Sequence, residues 1–259
     1  LIINPLHRFV LFLIINVTLI IFFNVKIREF DVFILDYLNS FIYFSILISF
    51  FCLFFIINGS NLIDGFNGLL GIHAFLILGV LSILTYNKIQ SDILILNYIL
   101  MTSLALFLVY NIPKAKIFLG DGGSFFIGTL ISLLIIVTYN QSNQISPFYF
   151  AILIFYLFFE IFFSVFRKIL QGKNPFYPDR KHLHMLVYKY LKLSNNKIKN
   201  HNFMTSLIIN ISYGILITPS FFFYQNDFIC KIYFTILILI YLIVYYFLNQ
   251  KIKIYEKKN

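Results

Sequence analysis

Apolar residues in this chain run in long stretches separated by short polar breaks. The first run covers residues about 9–24, and others cover about 41–57, 69–86, 94–111, 121–139, 147–165, 203–223 and 228–248. Each approaches the roughly 20 residues that an α-helix needs to cross a bilayer. A backbone in lipid must satisfy its own hydrogen bonds, and a helix does so within one segment. The pattern therefore predicts an all-α polytopic integral membrane protein with about eight transmembrane helices in residues 1–259, read as a single transmembrane domain. The only break of any size is the loop 166–201, where Gly172, Pro175 and Pro178 predict an extended or turned first part.

Composition agrees: the chain is 60% hydrophobic, against about 45–50% in soluble domains. The 34 Phe and 18 Tyr are a compositional bias and carry no function by themselves. Cys52 and Cys230 both lie inside apolar runs, with neither a disulfide framework nor zinc spacing. The net charge is +10, but its placement matters more. With eight spans, one set of alternate loops holds Arg8, Lys114, Lys116, the basic residues of 167–199 and the lysines of the tail, 16 of the 20 Lys and Arg. The positive-inside rule assigns that set, and with it the C-terminus, to the cytosol. A chain opening on Leu1 in the middle of such a pattern predicts further sequence upstream, with about three more spans.

Three segments on the predicted cytosolic side carry unusual polar groups. Asn58–Gly71 interrupts two apolar runs with three Asn, one Asp and four Gly. A carboxylate beside membrane spans is costly, so it marks a functional site by default. Asn58, Asn61 and Asp64 recur every third residue and share a drifting helix face. Gly65 and Gly68 leave room beside the carboxylate for a ligand or another backbone. In the second segment, 118–124, glycines surround Asp121 and Ser124 can cap the helix that follows. A helix N-terminus with Gly122 and an aspartate suits a phosphate and a metal together. The third segment, 175–184, offers Arg180 as a phosphate fork and two alternating histidines, His182 and His184, too few for zinc. Each segment also has a bland reading, as a polar helix end, a turn entering a span and a basic surface loop. Together they suit a magnesium-dependent reaction on a diphosphate.

These residues resemble the motifs of the polyprenyl-phosphate N-acetylhexosamine-1-phosphate transferases, a family that includes the phospho-N-acetylmuramoyl-pentapeptide transferase. Asn58-Gly-Ser-Asn61-Leu-Ile-Asp64-Gly-Phe-Asn67-Gly-Leu69 is similar to the family's Asn-x-x-Asn-x-x-Asp-Gly-x-Asp-Gly-Leu. Phe118-Leu-Gly-Asp121-Gly-Gly-Ser124 looks like Phe-Met-Gly-Asp-x-Gly-Ser, and Arg167 to His184 resembles the loop that ends in His-x-His-His. The motifs occur in family order over about two thirds of the chain. The resemblance implies that undecaprenyl phosphate attacks a UDP-N-acetylhexosamine, releasing UMP and forming a lipid diphosphate sugar. It implies Mg²⁺, with Mn²⁺ as a substitute, on Asp121, and Asp64 in a catalytic cleft with Asn58 and Asn61. It also implies that Gly122 and Ser124 lie at the phosphates, and that Arg180, His182 and His184 hold the sugar nucleotide. The setting implied is the bacterial inner membrane with the site on the cytosolic face and eleven spans in the intact protein. Membrane lipid and a second copy in a homodimer are further partners, and nothing points to nucleic acid.

Four positions depart from the family pattern. The family's adjacent Asp-Asp pair is absent from residues 1–259, so this stretch alone is expected to be inactive. Asn67 replaces the second aspartate of the polar string, Met185 replaces the last histidine, and Glu160 stands where Asp is common. The His-x-His-Met loop favours the N-acetylglucosaminyl branch that starts surface polysaccharides such as O-antigen over the muramoyl-pentapeptide enzyme. Glu160 reads either as functional or as the partner of Arg167 or Lys168. Two other classes remain: an inactive relative, and a transporter, which would place its charges deep in the spans.

Overall fold

The computed structural model describes residues 5–22, 25–86, 91–142, 144–175, 177, 179–194 and 198–258. Their elements, in order, are α1 (Pro5–Phe22), α2 (Phe33–Asn39), α3 (Ile42–Ile63), α4 (Leu69–Thr85), α5 (Ser91–Asn111) and α6 (Gly120–Gln141). There follow α7 (Pro147–Leu153), α8 (Phe155–Leu170), α9 (Leu183–Ser194), α10 (His201–Ile217) with a 3-10 turn at Thr218–Phe222, and α11 (Asp227–Lys258). No strand occurs among the described residues.

Every apolar run falls on helix, but length separates them. Five helices, α3, α5, α6, α10 with its 3-10 turn, and α11, are long and apolar enough to cross a membrane. The pair α7/α8, bent by 79°, makes a sixth if it is one broken span. α4 has 17 residues, about 25 Å of helix against a hydrocarbon core of about 30 Å. By length and composition, five helices among the described residues qualify as spans, six with the bent pair, and Leu13–Phe22 and α4 are shorter apolar helices at two more of the eight runs.

The unexpected break is at Ile154, inside the sixth run, where the apolar pattern predicts one continuous span. Ser146 starts α7 by accepting the Phe148 amide at 3.1 Å, with Pro147 in the first turn. At its other end the Leu153 carbonyl accepts the Tyr213 hydroxyl at 2.5 Å. A side chain from a distant helix thus serves a backbone group at the bend, as a kinked helix in lipid requires.

α3 lies at the centre, packed on α6 and α8; α4 packs on α5 and α10, and α9 on α10 and α11. Two glycines permit the closest approaches. A Cβ on Gly59 would lie 2.1 Å from the Leu157 carbonyl oxygen of α8. A Cβ on Gly128 of α6 would lie 2.9 Å from the Ile57 Cα of α3. Hydroxyls inside the bundle bond their own helix: Ser60 donates to Ile56 O and Ser82 to Leu78 O, so neither donor is stranded there.

The two ends of the bundle differ. At one, Tyr139 donates to Glu29 O, Asn140 to Lys26 O and Ser146 to Asp227. The other gathers the 64–68 turn, the 112–119 segment, the loop after α8, α9 and the end of α11. That loop is not irregular throughout: α9 occupies its second half, and Lys189 on α9 pairs with Glu256 of α11 at 2.6 Å.

Candidate active site

The apolar pattern predicts that the second run ends at Asn58, yet α3 continues through Ile63. Its polar residues sustain the helix by bonding back to it, as Asn58 does in donating to Phe54 O at 2.8 Å. One turn further, Asn61 faces α6. Its amide donates to Ser124 Oγ at 2.9 Å and to Asp121 Oδ1 at 3.2 Å. Asp64 caps α3 in a near-helical conformation. The every-third-residue spacing thus delivers Asn61 and Asp64 to one place, and leaves Asn58 bonded within its own helix.

α6 begins at Gly120, whose φ of +64° admits the chain sharply into the helix. Asp121 lies in the first turn, exposed, and Gly122 beside it is open: a Cβ added there would meet nothing within 4 Å. Ser124 does not cap the helix as expected. It is fully buried one turn in, where its hydroxyl donates to Asp121 O at 3.1 Å and accepts from Asn61. The first-turn amides of a helix have no intrahelical partner, and its dipole favours anions there.

Between these elements lies a cavity of about 340 Å³, lined by Asn61, Asp64, Phe66, Asn67, Asn111, Gly120 and Asp121 among others. Burial, and secondarily the charge of Asp121, pushes the Asp64 carboxyl up to about 7. Two carboxylates facing one cavity, one of them poised near neutral pH, form a site for proton exchange or for a cation that offsets their repulsion.

The turn carrying Asp64 is held by asparagines that sequence reasoning misses. Gly68, at φ +77°, donates its amide to Asn111 Oδ1 at 2.6 Å, and Asn111 donates to Ile117 O. Asn67 donates its amide to Asn202 Oδ1 at 2.7 Å and its side chain to Pro113 O, to which Asn200 also donates. Where the family has a second aspartate, Asn67 thus fastens three segments together. The available signal is Asn itself, recurring at the mouths of apolar runs.

The third segment lies against the same turn, and its histidines are not free. His182 and His184 stack with centroids 5.6 Å apart and planes 5° from parallel, so they do share a side. Both are buried. His182 Nδ1 lies 3.1 Å from Glu160 Oε1, and its Nε2 lies 3.5 Å from Asp179 Oδ1. Glu160 is therefore the partner of His182, and not of Arg167 or Lys168 as its spacing suggests. Arg167 instead grips Asp179 with contacts of 2.8 and 3.2 Å, and Lys168 donates to Pro175 O and Tyr177 O. Burial works against ionisation of Asp179, but the Arg167 guanidinium and the Lys181 amide together hold its carboxyl below the usual range. His184 meets the Tyr156 hydroxyl through Nδ1 at 3.2 Å, and no described residue bonds its Nε2. Burial lowers the His184 imidazole to about 4, so it is neutral at physiological pH. Its ring meets Phe66 edge-on at 5.6 Å, and Phe66 lines the cavity. Arg180 is exposed at the start of this segment.

Part of this chain is similar to transferases of other bacteria. The chain is 35% identical over 138 residues to the undecaprenyl-phosphate alpha-N-acetylglucosaminyl 1-phosphate transferase of Thermotoga maritima, covering 52% of this chain and 41% of that protein. It is 28% identical over 151 residues to the protein of that name from Yersinia pestis, covering 56% and 41%. A probable undecaprenyl-phosphate N-acetylglucosaminyl 1-phosphate transferase of Bacillus subtilis is 33% identical over 130 residues, covering 50% and 36%. The matched part thus spans about two fifths of the length of these relatives. The family model of glycosyl transferase family 4 matches residues 2–139, a stretch that includes α3, α4, α5, nearly all of α6 and both cavity carboxylates, and the chain belongs to that family.

Proposed function

We propose that this chain is the catalytic part of a membrane phosphoglycosyl transferase that moves an N-acetylhexosamine 1-phosphate from a UDP-sugar to undecaprenyl phosphate. A phosphate oxygen of the lipid attacks the sugar-linked phosphorus of the donor. The bond from that phosphorus to the bridging oxygen breaks, UMP leaves with the oxygen, and a lipid diphosphate sugar forms. The observation that carries this reading is the junction of Asn61, Asp121 and Ser124, with Asp64 across the same cavity and the α6 N-terminus opening onto it.

The residues fit Mg²⁺. Asp121 is exposed, and among the described residues no third His, Cys, Asp or Glu joins Asp64 and Asp121 in a cluster. Mg²⁺ suits such a site because it keeps several waters and takes substrate phosphate oxygens along with one or two carboxylates. Asp121 would hold the ion, which when bound supplies charge neutralisation at the transferring phosphate. Asn61 orients Asp121. The first-turn amides of α6 and the open backbone at Gly122 face phosphate oxygens. Asp64, poised near neutral pH, takes or holds a proton at the reacting end. Arg180 and the neutral His184 lie toward the sugar nucleotide. The excess of Lys and Arg at this end of the bundle supports a cytosolic site and a cytosolic C-terminus in a bacterial plasma membrane.

The test uses the protein from its full reading frame, in membranes, with undecaprenyl phosphate, Mg²⁺ and each of several UDP-N-acetylhexosamines. UMP release that requires lipid phosphate and divalent cation is the expected result, and the productive donor names the sugar. No UMP from any donor, with protein correctly inserted, overturns the reading.

A further inference from the structure

Glu160 is 1% exposed, yet three donors converge on it. Its Oε1 takes His182 Nδ1 at 3.1 Å and the Leu183 amide at 3.0 Å; its Oε2 takes the Tyr241 hydroxyl at 2.9 Å. An ionised carboxylate satisfies all three donors at once, and in that arrangement Nδ1 of His182 carries the proton. Both ring nitrogens of His182 thus face carboxylate oxygens, Glu160 on one side and Asp179 on the other. This histidine is a latch between the loop and the bundle rather than a free ligand. The loop is fastened near its other end by Lys168, which bonds Pro175 O and Tyr177 O.

Tyr241 belongs to α11, 81 residues away from Glu160 in sequence. Its ring is wedged edge-on against Phe159 at 4.9 Å and Phe163 at 5.4 Å, which fixes where its hydroxyl points. It touches no residue lining the cavity in any of these contacts. We propose that Tyr241 is a positioning residue: through Glu160 it sets the His182 ring and the first turn of α9, and so the place of His184 and Arg180 at the nucleotide-sugar end of the site. This rests on the transferase reading. Removing the hydroxyl leaves Glu160 Oε2 without a donor where water does not reach, and the carboxylate then releases the loop to find another.

The test compares Tyr241→Phe, Glu160→Gln and the double variant in the full-length protein. Tyr241→Phe keeps the ring packing, and the KM for the UDP-sugar is expected to rise about tenfold, with kcat and the KM for undecaprenyl phosphate within about twofold. The double variant is expected to be no worse than Glu160→Gln alone, because Tyr241 acts through Glu160. Tryptic cleavage at Lys173, Arg180 and Lys181, all exposed, is expected to quicken about tenfold in Tyr241→Phe as the loop detaches. An unchanged donor KM, equal losses toward both substrates, or additive effects overturn the proposal. If the wild-type protein releases no UMP, the transferase reading has failed, and the cleavage rates still decide the latch: a Tyr241→Phe loop cut no faster than wild type overturns it. Should Tyr241→Phe fail to insert, Glu160→Gln carries the same cleavage comparison.

Discussion

Replacing Gly59 by Ala tests whether the site depends on how closely two helices meet. The added Cβ would lie 2.1 Å from the Leu157 carbonyl oxygen, whereas ordinary contact begins at 3.4 Å, so α3 and α8 must part by 1.3 Å. The obstructing atom is backbone and cannot rotate away. Overpacking costs about 1–3 kcal/mol, and a backbone clash belongs at the top of that range. The better helix propensity of Ala returns up to about 1 kcal/mol, leaving about 2 kcal/mol of destabilisation. At about 2–4 °C per kcal/mol, the melting temperature in detergent falls by about 4–8 °C. Any part of that shift taken up by α3 is carried to Asn61, two residues on, which bonds Ser124 of α6 at 2.9 Å, so UMP release is expected to fall as well. The control is Gly65→Ala, where a Cβ meets nothing within 4 Å and about no change in melting is expected. A Gly59→Ala protein that melts within 1 °C of wild type, by about the resolution of the scan, refutes the close-packing argument.

Asp121→Asn is expected to lower UMP release at least about 100-fold with insertion intact, and near-wild-type turnover would refute its placement at the reacting phosphates. Gly68→Ala forces a side chain into φ +77° and against the Ile112 methyl at 2.5 Å, and is expected to cost about 2 kcal/mol or more in a thermal melt. The Asp64 carboxyl, raised to about 7, keeps its proton in the folded chain across the window, from about 4 to about 7, in which the unfolded carboxyl has lost it. The folded state there binds more protons, so without divalent cation stability falls as pH rises through that window and is level above it. Asp64→Asn removes the slope: its gain in melting temperature over wild type, measured in chelator, should grow through the window, and a gain independent of pH would refute the shift.

Much of the fold was legible because the bilayer imposes one rule on every span. Apolar runs long enough to cross must be helices, and α3, α5, α6, α10 and α11 are. The polar string was legible for the converse reason: Asn61, Asp64 and Asp121 lie where an apolar run would be cheaper, and the structure brings them to one cavity. Local chemistry read less well. Ser124 looks like a helix cap because caps are recognised by residue type, but α6 starts at Gly120 and the hydroxyl is spent on Asn61 and Asp121. Gly59 matters more than Gly65 beside Asp64, since only the neighbouring helix shows which glycine is in contact.

What the sequence determined alone was the long apolar helices and the polar residues at their ends, both of which follow from the cost of polarity in lipid. Tertiary structure alone decided the bend at Ile154, where Tyr213 bonds Leu153 from 60 residues away, and the partners of Glu160, which the sequence left open between a functional group and a partner of Arg167 or Lys168 and which packing made His182 and Tyr241. A buried carboxylate takes whichever donors the packed helices bring within about 3 Å, and sequence distance does not enter that choice.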